Sequence, residues 1–174
     1  MKLTIVEYPN KRLKDKSVKI ENFDSKLHNL LDSMYPIMIN TNGIGLAAIQ
    51  VDYAHQVLIL NIPNEEGEQV IENLLEIINP VITKQNGETV YQEGCLSVPS
   101  FYEDITRFET ISIDYQDRDG NSNTLEADGL LSIAIQHEID HLKGILFIDK
   151  LPSSRRRKFD KEYKRMLKER KSSK

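Results

Sequence analysis

The nine residues from Gln136 to Gly144, QHEIDHLKG, constrain this chain more than any other stretch. His137 and His141 stand four residues apart, and Glu138 directly follows the first. An α-helix advances about 100° per residue, so the two imidazoles project from nearly one face, one turn apart, where they can meet a single metal ion. Glu138 then flanks that face, within reach of a water on the metal. Such a string also arises by chance on solvated helices. Its neighbours argue otherwise here: Ala134, Ile135, Ile139 and Leu142 make the segment too apolar for an exposed helix. A buried helix seldom carries two histidines and two carboxylates without partners. The combination points to a metal-dependent enzyme built around this helix.

A chain of 174 residues can enclose a sizeable core without splitting, so one globular unit is expected. No apolar run approaches the length needed to cross a bilayer. The start, MKLTIVEYP, has only a four-residue apolar stretch before Glu7, too short for the core of a signal peptide. Cys95 is the one cysteine, so no internal disulfide can form. Both features lead us to expect a cytoplasmic location with no membrane association.

Leu27, Leu30, Leu31, Met34 and Met38 give a helical apolar face behind Asp24 or Ser25 as N-cap, with Pro36 expected to kink or shorten its last turn. β-rich runs follow at 57–62 and 77–82, and 110–115 with 124–127 flank the turn sequence Asp119-Gly120-Asn121 as a hairpin. Helix resumes near Gly129, followed by a short strand around Leu146 and a final helix. This order predicts an α+β fold, with mostly antiparallel β-sheets packed around a central helix bearing the HExxH motif and with a C-terminal helix.

The net charge of −4 is unevenly spread. From Ser153 to Lys174 eleven Lys or Arg face three Asp or Glu, a local charge of +8, and the remaining 152 residues carry −12. Phe159, Tyr163, Met166 and Leu167 recur at helical spacing among these charges, giving one greasy stripe and one cationic face. Residues 1–152 are thus expected to form the catalytic portion, and 153–174 a basic C-terminal helix of the same domain. The stripe can dock the helix on the core. The cationic face can contact a polyanion such as RNA.

Two histidines need a third protein ligand and an open position if a metal is to activate water. Cys95, in the tight segment EGCLSVP, is a candidate, and it can equally be a buried small hydrophobe. A third unusual stretch, GIGLAAIQ from Gly43 to Gln50, suits a backbone that approaches a ligand closely and a side-chain amide that donates to it. It also suits a helix entry packed tightly on a sheet. It is not a phosphate loop, because GxGxxG fails at Ala48 and no Lys-Ser or Lys-Thr pair follows.

Together GIGLAAIQ, EGCLS and QHEIDHLKG resemble the peptide deformylases, which remove the formyl group from the amino-terminal formylmethionine of new bacterial proteins. The likeness extends through DRDG at Asp117 to Gly120, LEADGLL at Leu125 to Leu131 and the basic C-terminal helix. The resemblance implies that Cys95, His137 and His141 hold the metal, with water in the fourth position, and that Glu138 is general base and acid. It assigns oxyanion stabilisation to the Gln50 side-chain amide and the Leu96 backbone N–H. The peptide is expected to lie extended against Ile44, Gly45 and Gly94. Its methionine would enter a pocket formed by Ile44, Tyr91, Leu130, Ile133, Ala134 and His137, with Glu93 near its wall.

The resemblance also implies Fe²⁺ as the native ion, replaceable by Zn²⁺, Ni²⁺ or Co²⁺, which two imidazoles and a thiolate suit alike. The expected partners are N-formylmethionyl nascent peptides and the ribosome, the latter through the C-terminal helix, and a monomer is expected. Where many relatives carry an arginine facing the peptide, this chain reads Ser100-Phe101-Tyr102-Glu103, so an aromatic surface should border the later substrate residues. Arg107 and Asp140 are expected to pair and steady the ligand helix, weakly if exposed. Two other readings compete. An HExxH-type zinc peptidase normally recruits a downstream His or Glu, and no histidine follows His141. A non-catalytic, ribosome-associated metal-binding module would leave Glu138 and Gln50 without a task.

Overall fold

β2 (Val57–Asn61) is the keystone of the architecture, because its burial on both faces divides the interior into two layers. In this computed structural model, which describes residues 2–172, Leu58 and Leu60 face one cluster while Val57 and Ile59 face the other. Alternate side chains of a strand point to opposite faces. An apolar run with no polar alternation is therefore what a strand covered by helices on both sides requires. β2 pairs with β1 (Gly45–Ala47) on one side and β3 (Leu74–Asn86) on the other. β6 (Thr110–Gln116) and β7 (Ser122–Ala127) complete an antiparallel sheet of order β1-β2-β3-β6-β7.

Helix α1 (Ser25–Asn40) covers one face through Leu27, Leu30, Leu31, Met34 and Met38. Asp24 caps it, its carboxylate accepting the N–H groups of Lys26 and Leu27. Pro36 does not end the helix, which runs four residues further to Asn40. Pro36 and Asp32, whose carbonyl loses its helical partner, both lie on the exposed side, open to solvent, while Met34 and Met38 anchor the buried side. Helix α2 (Gly129–Leu142) covers the other face through Ala134, Ile135, Ile139 and Leu142. It carries the HExxH residues, and the expected α+β arrangement around it is the one observed.

A separate hairpin, β4 (Thr89–Cys95) with β5 (Val98–Arg107), flanks the cleft. The periodicity of the sequence did not reveal these two strands. The predicted strand around Leu146 is instead a 3-10 turn from Phe147 to Lys150, closed by Asp149, whose carboxylate accepts the Leu146 N–H at 2.8 Å. Leu146, Phe147 and Ile148 are all buried. That makes a packed turn look like a strand in sequence.

Helix α3 (Ser153–Ser172) docks on this turn and on the hairpin. Phe159 and Tyr163 are each 2% exposed, among Tyr8 and Phe101. Tyr163 Oη donates to Tyr8 O at 2.5 Å. Asp149 receives Lys14 and, at 2.8 Å, Arg156 Nη1, so three chain segments converge on one carboxylate. Met1, Ser173 and Lys174, which belong to the two stretches expected from the sequence, lie outside the described residues. Among those residues no helix is long and apolar enough to cross a membrane.

Candidate active site

A cleft of about 770 Å³ opens between β1, the β4–β5 hairpin and α2. Gln50 lies in the 3-10 turn Ala48–Val51 that follows β1, Cys95 ends β4, and His137, Glu138 and His141 project from α2. Sequence-distant residues thus meet. His141 Nε2 lies 3.3 Å from His137 Nε2 and 3.3 Å from Cys95 Sγ, and the three donor atoms all fall within 4.8 Å of one another.

The tautomer of His137 follows from its other nitrogen. Nδ1 lies 2.7 Å from Glu93 Oε1, and a carboxylate only accepts, so a hydrogen sits on Nδ1; in the neutral ring that metal binding requires, the Nε2 lone pair faces Cys95 and His141. Although burial favours the neutral acid, hydrogen bonds from Arg107 and His137 hold Glu93 below the usual carboxylate range. Burial lowers the His141 pKa well below the usual imidazole value, which favours its neutral form. Two imidazoles and a sulfur crowded with their donor atoms inward fit a borderline divalent cation. The His137–Glu93 contact is the kind of outer support that orients a metal-binding imidazole.

Arg107 explains why Glu93 stays ionised. Its Nε and Nη2 donate to Glu93 Oε2 and Oε1 at 2.7 and 2.9 Å, and its Nη1 donates to Asp140 Oδ2 at 2.5 Å. The Arg107–Asp140 pair, expected to steady the ligand helix and to be weak only if exposed, is buried. The arginine side chain is 3% exposed and the aspartate 13%, and Glu93 shares the same guanidinium. Removing one member of such a buried group typically costs about 3–5 kcal/mol. Through it the strand bearing Cys95 is tied to the helix bearing both histidines.

Glu138 occupies a different niche. Burial pushes its carboxyl up to about 7, and Oε2 is buried without a hydrogen-bond partner among the described residues. A Cβ on Gly45 would fall 2.5 Å from Glu138 Oε1, so the carboxylate lies directly over bare backbone. Glycine at that position makes room for the base.

Ile44, Gly45, Gln50, Tyr91, Glu93, Gly94, Cys95, Leu96, Leu130, Ile133, Ala134, His137 and Glu138 all line the cleft, and His141 lies behind it. Glu93 was expected at the pocket wall; its carboxylate is turned to His137 and Arg107 instead of serving as plain lining. Both aromatic side chains border the cleft: Tyr102, 67% exposed, covers Gly94 at the rim, and Phe101 also packs 4.9 Å from Phe159 under α3. Sequence reasoning missed Ser97, whose hydroxyl accepts from Gln50 Nε2 at 3.1 Å. Its place inside EGCLS was the available signal.

An α+β fold in which a hairpin cysteine joins an HExxH helix above a buried carboxylate defines a metal-dependent hydrolase. The Polypeptide deformylase family profile matches residues 2–157. A peptide deformylase of Helicobacter hepaticus is 55% identical over 168 residues, covering 96% of this chain and 93% of that protein. One from Wolinella succinogenes is 54% identical over 163 residues, covering 94% and 96%. Among solved structures, peptide deformylase from Ehrlichia chaffeensis superposes with a TM-score of 0.85 at 36% identity, covering 96% of this chain and 97% of that one. The chain belongs to the peptide deformylase family, and it is an enzyme of that kind.

Proposed function

We propose that this chain hydrolyses the N-formyl group of amino-terminal formylmethionine on nascent polypeptides, releasing formate. The observation that carries this reading is the convergence of Cys95, His137 and His141 beside the buried, unbonded oxygen of Glu138, in a chain of this family. Cys95, His137 and His141 would hold a divalent cation, which when bound would supply Lewis-acid polarisation and lower the pKa of water toward neutrality. Glu138 accepts the proton of the attacking water and passes it to the amine nitrogen as the C–N bond breaks. The Gln50 amide and the Leu96 N–H donate to the oxyanion, each worth about 10²- to 10³-fold in rate. Fe²⁺ is the ion we expect in the cell, with Zn²⁺, Ni²⁺ or Co²⁺ able to replace it, since the N,N,S donor set excludes only hard, oxygen-seeking ions.

β1 is the terminal strand of its sheet, which supports binding of the peptide as an added strand along Ile44 and Gly45, with Gly94 opposite. The methionine side chain enters among Ile44, Tyr91, Leu130, Ile133 and Ala134, against His137, with Glu93 behind. Residues 1–152 and the helix beyond them act as one cytoplasmic, monomeric unit. The exposed basic face of α3 is proposed to meet ribosomal RNA.

Formate release from a formyl-Met peptide, measured anaerobically with the metal content of the same sample, tests the reading. A fully metal-loaded protein that releases no formate would overturn it. Cys95→Ser is expected to weaken metal retention or change which ion supports activity, because a neutral hydroxyl replaces a soft anion. Unchanged occupancy and ion preference in that variant would remove Cys95 from the ligand set.

A further inference from the structure

The two ends of the Gln50 amide are held by different parts of the chain. Oε1 accepts the Ala47 N–H at 2.8 Å, which settles which end is oxygen. Nε2 donates to Ser97 Oγ at 3.1 Å and lies 3.5 Å from Cys95 Sγ. Gln50 is 1% exposed and Ser97 is fully buried, so both groups depend on each other rather than on solvent. Their backbones are braced as well: the Val6 N–H donates to Gln50 O at 2.7 Å and the Tyr8 N–H to Ser97 O at 2.8 Å. The N-terminal segment therefore fixes the distance between donor and hydroxyl.

We infer that Ser97 is a positioning residue for the reaction: its hydroxyl takes one amide hydrogen of Gln50 and leaves the other aimed past Cys95 Sγ at the reacting carbonyl. The inference rests on the proposed role of Gln50 as oxyanion donor. A planar NH₂ group has two hydrogens at a fixed angle, so anchoring one on a rigid acceptor sets the direction of the second. Sulfur is a weaker acceptor and can yield that second hydrogen as the oxyanion forms. Without the Ser97 hydroxyl, the buried nitrogen keeps only the sulfur contact and swings away from the position that a preorganised donor must occupy.

The test measures kcat and KM for a formyl-Met peptide in Ser97→Ala, Ser97→Cys, Gln50→Leu and the Ser97→Ala/Gln50→Leu double variant. Rates are normalised to bound metal, and Tm is recorded for each protein. Ser97→Ala is expected to lower kcat about tenfold with KM nearly unchanged, a fraction of the loss from deleting a donor outright. On the Gln50→Leu background the same change should slow the enzyme no further, because the residue acts only through Gln50. Ser97→Cys fills the same space with a weak acceptor and should stay slow.

Four results would overturn the assignment. Wild-type kcat in Ser97→Ala beside a slow Gln50→Leu would remove Ser97 and leave the donor reading of Gln50 standing. Full recovery by Ser97→Cys, or an additive loss in the double variant, would show that the hydroxyl serves packing instead. Wild-type kcat in Gln50→Leu would sink the donor reading itself, and Ser97 with it.

Discussion

Replacing Glu138 with glutamine should lower the turnover of a formyl-Met peptide by at least about 10²-fold while the bound metal content stays unchanged. The two halves of this expectation have separate physical grounds. Glutamine has nearly the shape of glutamate, so the close approach over Gly45, where Oε1 sits 2.5 Å from the place of a Cβ, is retained. His137, His141 and Cys95 are untouched, and His137 keeps its hydrogen bond to Glu93. The amide, however, cannot take up a proton from water and pass it to the amine. Kinetic measurement beside metal analysis decides the matter. A near wild-type rate would mean that another group shuttles the proton, and loss of metal would mean that Glu138 helps to hold the ion.

Much of this site was legible in the sequence because its chemistry is written locally. The i, i+4 histidines placed themselves on one helical face, and apolar Ala134, Ile135, Ile139 and Leu142 declared that helix buried, as it is. The runs at β2, β3, β6 and β7 carried enough β-branched side chains to be read without a structure. The β4–β5 hairpin was not read, because its strands run polar residues side by side at Gln92-Glu93 and Glu103-Asp104, shift register between Glu93 and Cys95, and hold Ser100 at a positive φ of 70°. Each of those features weakens a period-two pattern. Contacts between distant segments were the other blind spot. Nothing in the spacing says that Glu93 on β4 and Asp140 on α2 share Arg107, or that Ser97 faces Gln50. Such pairs exist only once the hairpin has closed against α2.

Deleting the chain from Arg155 onward is the second large perturbation, and the packing of α3 sets its direction. Phe159 and Tyr163 are each 2% exposed, and truncating a buried aromatic costs about 3 kcal/mol or more. Two of them amount to about 6 kcal/mol out of the roughly 5–15 that hold a domain together. For a chain of this size that is a fall in Tm of roughly 15 °C. The damage should reach the site too. Tyr163 holds the Tyr8 carbonyl, the Tyr8 N–H holds Ser97, and Ser97 holds the Gln50 amide, so removing α3 loosens a continuous line of hydrogen bonds ending at the cleft. Peptide turnover should therefore fall along with stability, and truncation alone cannot report on ribosome docking. Replacing the exposed Lys158, Lys161, Lys164 and Lys168 by glutamine separates the two roles, since it removes charge and leaves the Phe159–Tyr163 stripe intact. That variant should keep its Tm and its activity on short peptides, but lose the part of ribosome co-sedimentation that weakens with added salt, as expected for contacts to RNA phosphate. A truncated protein with wild-type Tm and turnover would refute the packing argument. Equal sedimentation of the lysine variant and the wild type at low and high salt would refute the docking role.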